Sequence, residues 1–306
     1  MRTRRWLAVF IALVLVATTQ MACRPQDKAA DLSARLGTVE YDVTYATVGG
    51  VDLKMDIHYP RVASGRVPVV VWVHGGGWTS GDKRVGAGTP YIPELLSRGY
   101  LVASVNYRLA PDYKITDQIG DVKAAVRFLR ARASDYGVDA DHIGALGSSA
   151  GGHLVALLGT SDAKAGLEGE GGNAGQSSRV QAVVDLFGPA DFALMFRGTR
   201  ALQLARLFGV TDLDSPVITY LSPVSHITHD DPPFLILHGD MDTVVPLEQS
   251  QVLQRRLEEA GVPATLVVVT NAGHGFGPTP VGATISPSQA ELTRLVADFF
   301  DRELGE

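Results

Sequence analysis

The stretch Gly147-Ser148-Ser149-Ala150-Gly151-Gly152 has G-x-S-x-G spacing centred on Ser149, with an apolar run ending at Leu146 before it and an apolar helical pattern after it. A serine on so sharp a strand-to-helix turn needs tiny neighbours, because its backbone is strained and the turn crowds the chain. Its hydroxyl then stands at the positive end of a helix, where a developing anion is favoured. A serine hydroxyl is a weak nucleophile until a base takes its proton. Of eight histidines, only His274 falls in a glycine-rich loop after the last expected strand, Asn271-Ala272-Gly273-His274-Gly275-Phe276. An imidazole base needs a carboxylate to fix its tautomer and stabilise its charged form. Asp240 and Asp242, after the apolar run 233–237, are the candidates. The third component of acyl-transfer chemistry is a set of backbone N–H groups for the oxyanion. His74-Gly75-Gly76-Gly77-Trp78 follows the run 67–73 directly, so Gly76, Gly77 and Ala150 are the expected donors. Trp78 is expected to line the acyl pocket or to cover the core edge.

Elements must bring these residues together from positions far apart in the chain. Two extended stretches, 40–48 and 51–59, flank Gly49-Gly50, which suits a hairpin turn. Short, almost uniformly apolar runs follow at 67–73, 101–105, 142–146, 180–187, 233–237 and 265–269. Such runs fit strands covered on both faces, the situation in a parallel sheet. Residues 117–133 place Ile119, Val122, Val126, Leu129 and Ala133 on one helical face, and 247–260 behaves similarly before Gly261. A last helix is expected over 287–304, with Ser286 as N-cap and Pro287 in the first turn. Alternating strands and helices predict one α/β domain with a mostly parallel sheet. Residues 192–228, partly helical around 199–208, interrupt that alternation as a cap or a long connection.

Composition narrows the function classes. The 306 residues are 45% hydrophobic and 20% charged, enough apolar mass for a large core, and the net charge of −6 argues against a nucleic-acid binder. One cysteine excludes an intrachain disulfide and a multi-cysteine zinc site. That cysteine, Cys23, follows Arg2, Arg4, Arg5 and an apolar run over 6–17 that is too short to span a bilayer. The layout is that of an export signal over 1–22, with a polar tether at 23–38 and the α/β domain at 39–306. Cys23 after Ala22 is similar to the lipidated first residue of a bacterial lipoprotein, although Gln20 stands where leucine is usual; plain secretion is the alternative. Losing 1–22 removes three arginines and no acid, so the mature chain is more acidic still.

Other candidates read as structural. His226, His229, Asp230 and Asp231 form a polar loop; His153 is expected to be a packed, hydrogen-bonded residue. Tyr107 and Arg108 are expected to brace the glycine loop. The glycine-rich 166–175 lacks G-x-x-x-x-G-K-[ST] and is read as a flexible connection.

Together His74 to Trp78, Asn106-Tyr107-Arg108-Leu109-Ala110-Pro111, the Ser149 turn, Phe187-Gly188-Pro189-Ala190-Asp191, His238 to Pro246 and Gly273-His274 resemble carboxylesterases of the α/β-hydrolase fold. The chain order Ser149, Asp242, His274 is that of this fold. Val244-Val245-Pro246 matches its pattern after the acid, which favours Asp242 and leaves Asp240 to brace the turn. The resemblance extends to the hormone-sensitive-lipase-like and the acetyl-xylan or feruloyl esterase-like groups. Ser148 replaces the aspartate usual in the first, and 24–38 is too short for its helical cap; both point to the second. The resemblance implies hydrolysis of short acyl esters, acetyl or feruloyl esters of polysaccharides among them, with no metal or organic cofactor. The rival readings are an amidase or peptidase with the same three residues, and a noncatalytic envelope lipoprotein.

Overall fold

A computed structural model of the chain describes residues 34–84, 89–197 and 201–305. The export signal and Cys23 lie outside the described residues. Strands β1 (Val39–Val48) and β2 (Val51–His58) form the expected antiparallel hairpin around Gly49-Gly50. Then come β3 (Val67–Val73), α1 (Tyr91–Ser97), β4 (Leu101–Val105), α2 (Ile115–Ala131), the short α3 (Ala133–Tyr136), β5 (Val138–Ser148) and α4 (Ala150–Thr160). After β6 (Ala182–Leu186), three short helices, α5 (Phe192–Met195), α6 (Ala201–Phe208) and α7 (Pro216–Tyr220), occupy the interrupting segment. The chain closes with β7 (Phe234–Gly239), α8 (Glu248–Glu259), β8 (Ala264–Val269) and α9 (Gln289–Leu304).

Among the described residues the strands form one eight-stranded sheet in the order β1-β2-β4-β3-β5-β6-β7-β8. The β2 strand pairs antiparallel with β4, and from β4 to β8 all pairings are parallel. Parallel neighbours need crossover helices, and these cover both faces. Alternate residues of β3 show the result: Val69, Val71 and Val73 join one apolar cluster with α2 and α4, while Val70 and Trp72 join the other with α1 and α9. This is the α/β-hydrolase architecture. It sets the C-terminal ends of β3, β5, β7 and β8 along one edge of the sheet, with β6 between β5 and β7, the edge where open α/β sheets meet ligands.

Two boundaries depart from the sequence reading. Helix α9 begins at Gln289, because Ser288 caps it: Ser288 Oγ accepts the Glu291 N–H while the Glu291 carboxylate accepts the Ser288 N–H. Ser286 cannot be the cap, since its backbone pairs with Thr270 in an antiparallel bridge. Strand β5 starts at Val138, earlier than its apolar run, because Val138 pairs with Val67 before a register shift. Glycine-rich 166–175 is tied down: buried Lys123 and Arg127 both reach the Glu168 carboxylate, and Arg127 also donates to the Gly172 carbonyl.

Candidate active site

Ser149 sits at the junction of β5 and α4 with φ 55° and ψ −119°, a conformation that costs energy in a residue with a Cβ. The turn tolerates no bulk beside it. A Cβ on Gly151 would lie 2.1 Å from the Val73 carbonyl oxygen, and one on Gly147 2.3 Å from the Gly151 carbonyl oxygen. The Ser149 N–H donates to Leu186 O at 2.9 Å, fixing the turn to β6. Ser149 Oγ is 3.0 Å from His274 Nε2, and His274 Nδ1 is 2.7 Å from Asp242 Oδ2. Three residues spread over 125 positions thus form one hydrogen-bonded line.

The Asp242 side chain is fully covered, and its Oδ1 accepts the N–H groups of Val244 and Val245. Burial alone would push its carboxyl up, but hydrogen bonds from His238, His274, Val245 and Val244 outweigh this and hold it well below the ordinary carboxylate range. Asp242 is therefore a fixed anion. Asp240 lies in the same turn without reaching His274; its Oδ1 accepts the Ala272 N–H at 3.4 Å, a brace as expected. The ring of Phe187 packs edge-on to His274 at 4.7 Å and Phe276 packs on Phe187 at 5.0 Å, so the imidazole has a rigid apolar wall. A quarter of its side chain stays exposed.

The glycine loop lies against the nucleophile from the other side. A Cβ on Gly75 would come within 3.3 Å of Ser149 Cβ and 2.9 Å of the Ser148 carbonyl oxygen. Gly76 has φ +119°, and a Cβ there would stand 2.0 Å from Ser80 O, so only glycine fits. Tyr107 holds this loop: its hydroxyl donates to His74 O at 3.0 Å and its ring stacks on His74 at 4.4 Å. Arg108 does not reach the loop. It instead grips the buried Asp121 carboxylate on α2, the stronger partner for a guanidinium. Ala150 is the first residue of α4, and first-turn amides have no acceptor within their own helix.

Trp78, also at positive φ, is buried to 6% exposure. Its carbonyl accepts from Gln118 Nε2 and the Ala110 N–H, and its indole N–H donates to His153 Nδ1 at 3.2 Å. The His153 Nε2 side faces Leu221 O at 2.9 Å. Burial pushes the His153 imidazole down to about 4, against the pull of the Leu221 carbonyl, so the ring is neutral at ordinary pH. Phe192 packs on Trp78, His153, Phe196 and Phe208 at centroid separations of 5.5, 4.4, 5.4 and 4.9 Å. Phe192 thereby docks α5 and, through Phe208, the end of α6 on the glycine loop.

Two partners escaped the sequence reading. His238 stands 3.4 Å from Asp242, a contact that its place four residues earlier in His238-Gly239-Asp240-Met241-Asp242 could have signalled. Nothing local marked Gln118, which meets Trp78 only because α2 crosses under the loop. His226, His229, Asp230 and Asp231 do form a polar loop, in which Asp231 accepts from Thr228 and Arg179 pairs with Asp230.

Comparison with known proteins gives this constellation its relatives. The BD-FAE family model matches residues 55–257. Esterase LipC of Mycobacterium tuberculosis is 31% identical over 241 residues, covering 74% of this chain and 59% of that protein. Among solved structures, a truncated carbohydrate esterase from gut microbiota superposes with a TM-score of 0.76 at 30% identity, over 89% of this chain and 98% of that one. Thermogutta terrifontis esterase 2 phosphorylated by paraoxon gives a TM-score of 0.70 at 29% identity, over 87% of this chain and 94% of that one. The chain spans about half the length of the curated relatives it matches. With its sheet order, its site and these matches, the chain belongs to the BD-FAE family of α/β-hydrolases.

Proposed function

We propose that the protein is a serine esterase that hydrolyses short-acyl carboxylic esters through an acyl-enzyme. The observation that carries this reading is the line from Ser149 Oγ through His274 to a buried, ionised Asp242. Ser149 Oγ attacks the ester carbonyl as His274 Nε2 takes its proton, and Asp242 stabilises the imidazolium through Nδ1. The N–H groups of Gly76, Gly77 and Ala150 stabilise the tetrahedral oxyanion, each such donor contributing about 10² to 10³ in turnover. The imidazolium then protonates the leaving alcohol, the carbonyl re-forms on Ser149, and a water activated by His274 releases the acid. No step calls on a metal. The rings of Trp78, Phe192, Phe196 and Phe208 fill the space beside the glycine loop, which supports a preference for acyl chains of about two to six carbons.

A relative named as a carbohydrate esterase supports acetyl or feruloyl esters of polysaccharides as the natural class. The arginine-led apolar run before Cys23 supports export with lipid anchoring through that cysteine. Palmitate labelling in a bacterial host checks the anchor; equal labelling of Cys23→Ala would remove it.

The test of the main reading is Ser149→Ala in a series of p-nitrophenyl esters, with paraoxon as a covalent probe. The wild type is expected to favour short chains and to gain one phosphoryl adduct on Ser149, and the variant to lose both activity and adduct while staying folded. Retained hydrolysis in Ser149→Ala overturns the nucleophile, and faster cleavage of anilides than of esters makes the enzyme an amidase.

A further inference from the structure

Behind Asp242 stands an imidazole that the proton path from Ser149 to His274 does not use. His238, near the end of β7, is fully buried. Its Nε2 lies 2.8 Å from Val245 O and 3.4 Å from Asp242 Oδ2. Both are acceptors, so Nε2 carries a hydrogen in either protonation state of the ring. Its Nδ1 meets Ser250 Oγ on α8 at 2.6 Å, which fixes the ring plane. Two imidazoles therefore meet one carboxylate oxygen, Oδ2, His274 at 2.7 Å and His238 at 3.4 Å.

We propose that His238 is a positioning residue for ester hydrolysis, which clamps the 242–245 turn and shares the Asp242 charge so that His274 meets a fixed and moderated acceptor. The proposal rests on the roles given above to Asp242 and His274. Its physical basis has two parts. The Nε2–H holds the Val245 carbonyl, while the Val245 N–H holds Asp242 Oδ1, so the ring and the carboxylate grip the same residue from both sides. The same N–H, while bonded to the Val245 carbonyl, lies 3.4 Å from Oδ2, close enough for its positive end to offset part of a buried negative charge. Without that offset the carboxylate would hold the His274 imidazolium more tightly and release its proton to the leaving alcohol less readily. The groups facing His238 are Asp242 and Val245 from the loop after β7, Ser250 from α8, and the buried carboxyl of Asp185 from β6, which burial pushes up to about 7. Asp185 is no substitute clamp: its Oδ1 accepts the Gly188 N–H and its Oδ2 has no partner among the described residues.

The experiment compares His238→Leu and His238→Gln on p-nitrophenyl acetate, reading kcat, KM and the pH profile of kcat/KM. Glutamine places an N–H near the position of Nε2; leucine does not. For leucine, kcat is expected to fall about 10- to 100-fold with KM changed less than about threefold, the size of effect that misalignment produces. The acid limb should move up by about 0.5 to 1 pH unit, because a less compensated carboxylate favours charged His274. Glutamine should recover most of both changes. Unchanged kcat and acid limb in His238→Leu overturn the proposal, as does equal impairment of both variants, which would leave His238 a role in shape alone. Should leucine unfold the protein, Ser250→Ala frees the ring without removing it and must give a smaller shift of the same sign; an unshifted limb there overturns the proposal too. Asp242→Asn, run alongside, isolates the underlying assignment: full activity in that variant removes Asp242 from the mechanism whatever the His238 variants do.

Discussion

Two buried imidazoles brace the site, His238 and His153, and their surroundings differ in polarity. His238, on the Asp242 side, sits among a carboxylate, a carbonyl and a hydroxyl. His153, on the Trp78 side, sits among Trp78 and Phe192 and is held neutral by burial. One half of the site is thus a hydrogen-bonded network around a fixed anion, and the other a stack of rings around a strained glycine loop. The difference follows what each half must handle. Proton transfer moves charge, and dipoles set in place beforehand stabilise charge without reorganising. Holding a loop in place needs shape, which closely packed rings supply.

Three substitutions break or sharpen that contrast. Asp242→Asn should have the largest effect, lowering turnover by about 10⁴ through loss of the charge that fixes His274, with the fold intact. A drop of less than tenfold would mean that the polar half carries no charge of consequence.

Phe192→Ala should act in the other way. Phe192 is fully buried among four rings, so truncation should cost about 3 to 5 kcal/mol of stability in denaturant melts. Turnover of the acetyl ester should stay within about tenfold, and the preferred acyl chain should lengthen as the space beside Trp78 opens. Loss of all turnover in the folded variant would put the rings into the chemistry and erase the division between the halves.

The smallest expected effect is a pH slope. His153 titrates at about 4 in the fold against an ordinary 6.5, so between those values the unfolded chain carries a proton that the fold does not. Stability is therefore lost as pH falls from 6.5 towards 4, by about 3 kcal/mol for this group. Asp185 opposes it: burial raises its carboxyl to about 7 against 3.8, so the fold gains from that group as pH falls through the same range. His153→Gln removes only the first contribution, and its stability should decline less than that of the wild type between pH 6.5 and 4. Parallel slopes would show that His153 is not held neutral in the fold.

Much of the polar half was legible because its residues lie in short motifs: Ser149 in a tight glycine turn, and Asp242 and His274 in loops after apolar strands. The resemblance to known esterases chose Asp242 over Asp240, and the structure gives the physical counterpart, since only Asp242 reaches His274. The ring half was far less legible. Trp78 could be read as pocket lining or core cover, and its burial comes from His153, Phe192 and Phe196, which close around it from separate parts of the chain. Arg108 was misplaced for a similar reason: its neighbour Tyr107 turns to the loop, while the guanidinium turns to Asp121, one helix away.

By itself the sequence determined the sheet-and-helix alternation, the turn that exposes Ser149, and the residue types that acyl transfer needs, because each depends on neighbours within a few positions. Only the tertiary structure decided what surrounds those residues. The docking of α5 on Trp78 through Phe192 and the crossing of Gln118 beneath Trp78 are contacts between distant segments, and the clamp of His238 on the 242–245 turn forms only when the loop after β7 folds back on its own strand. Their energies depend on burial and distance, and neither exists until the sheet has brought the segments together.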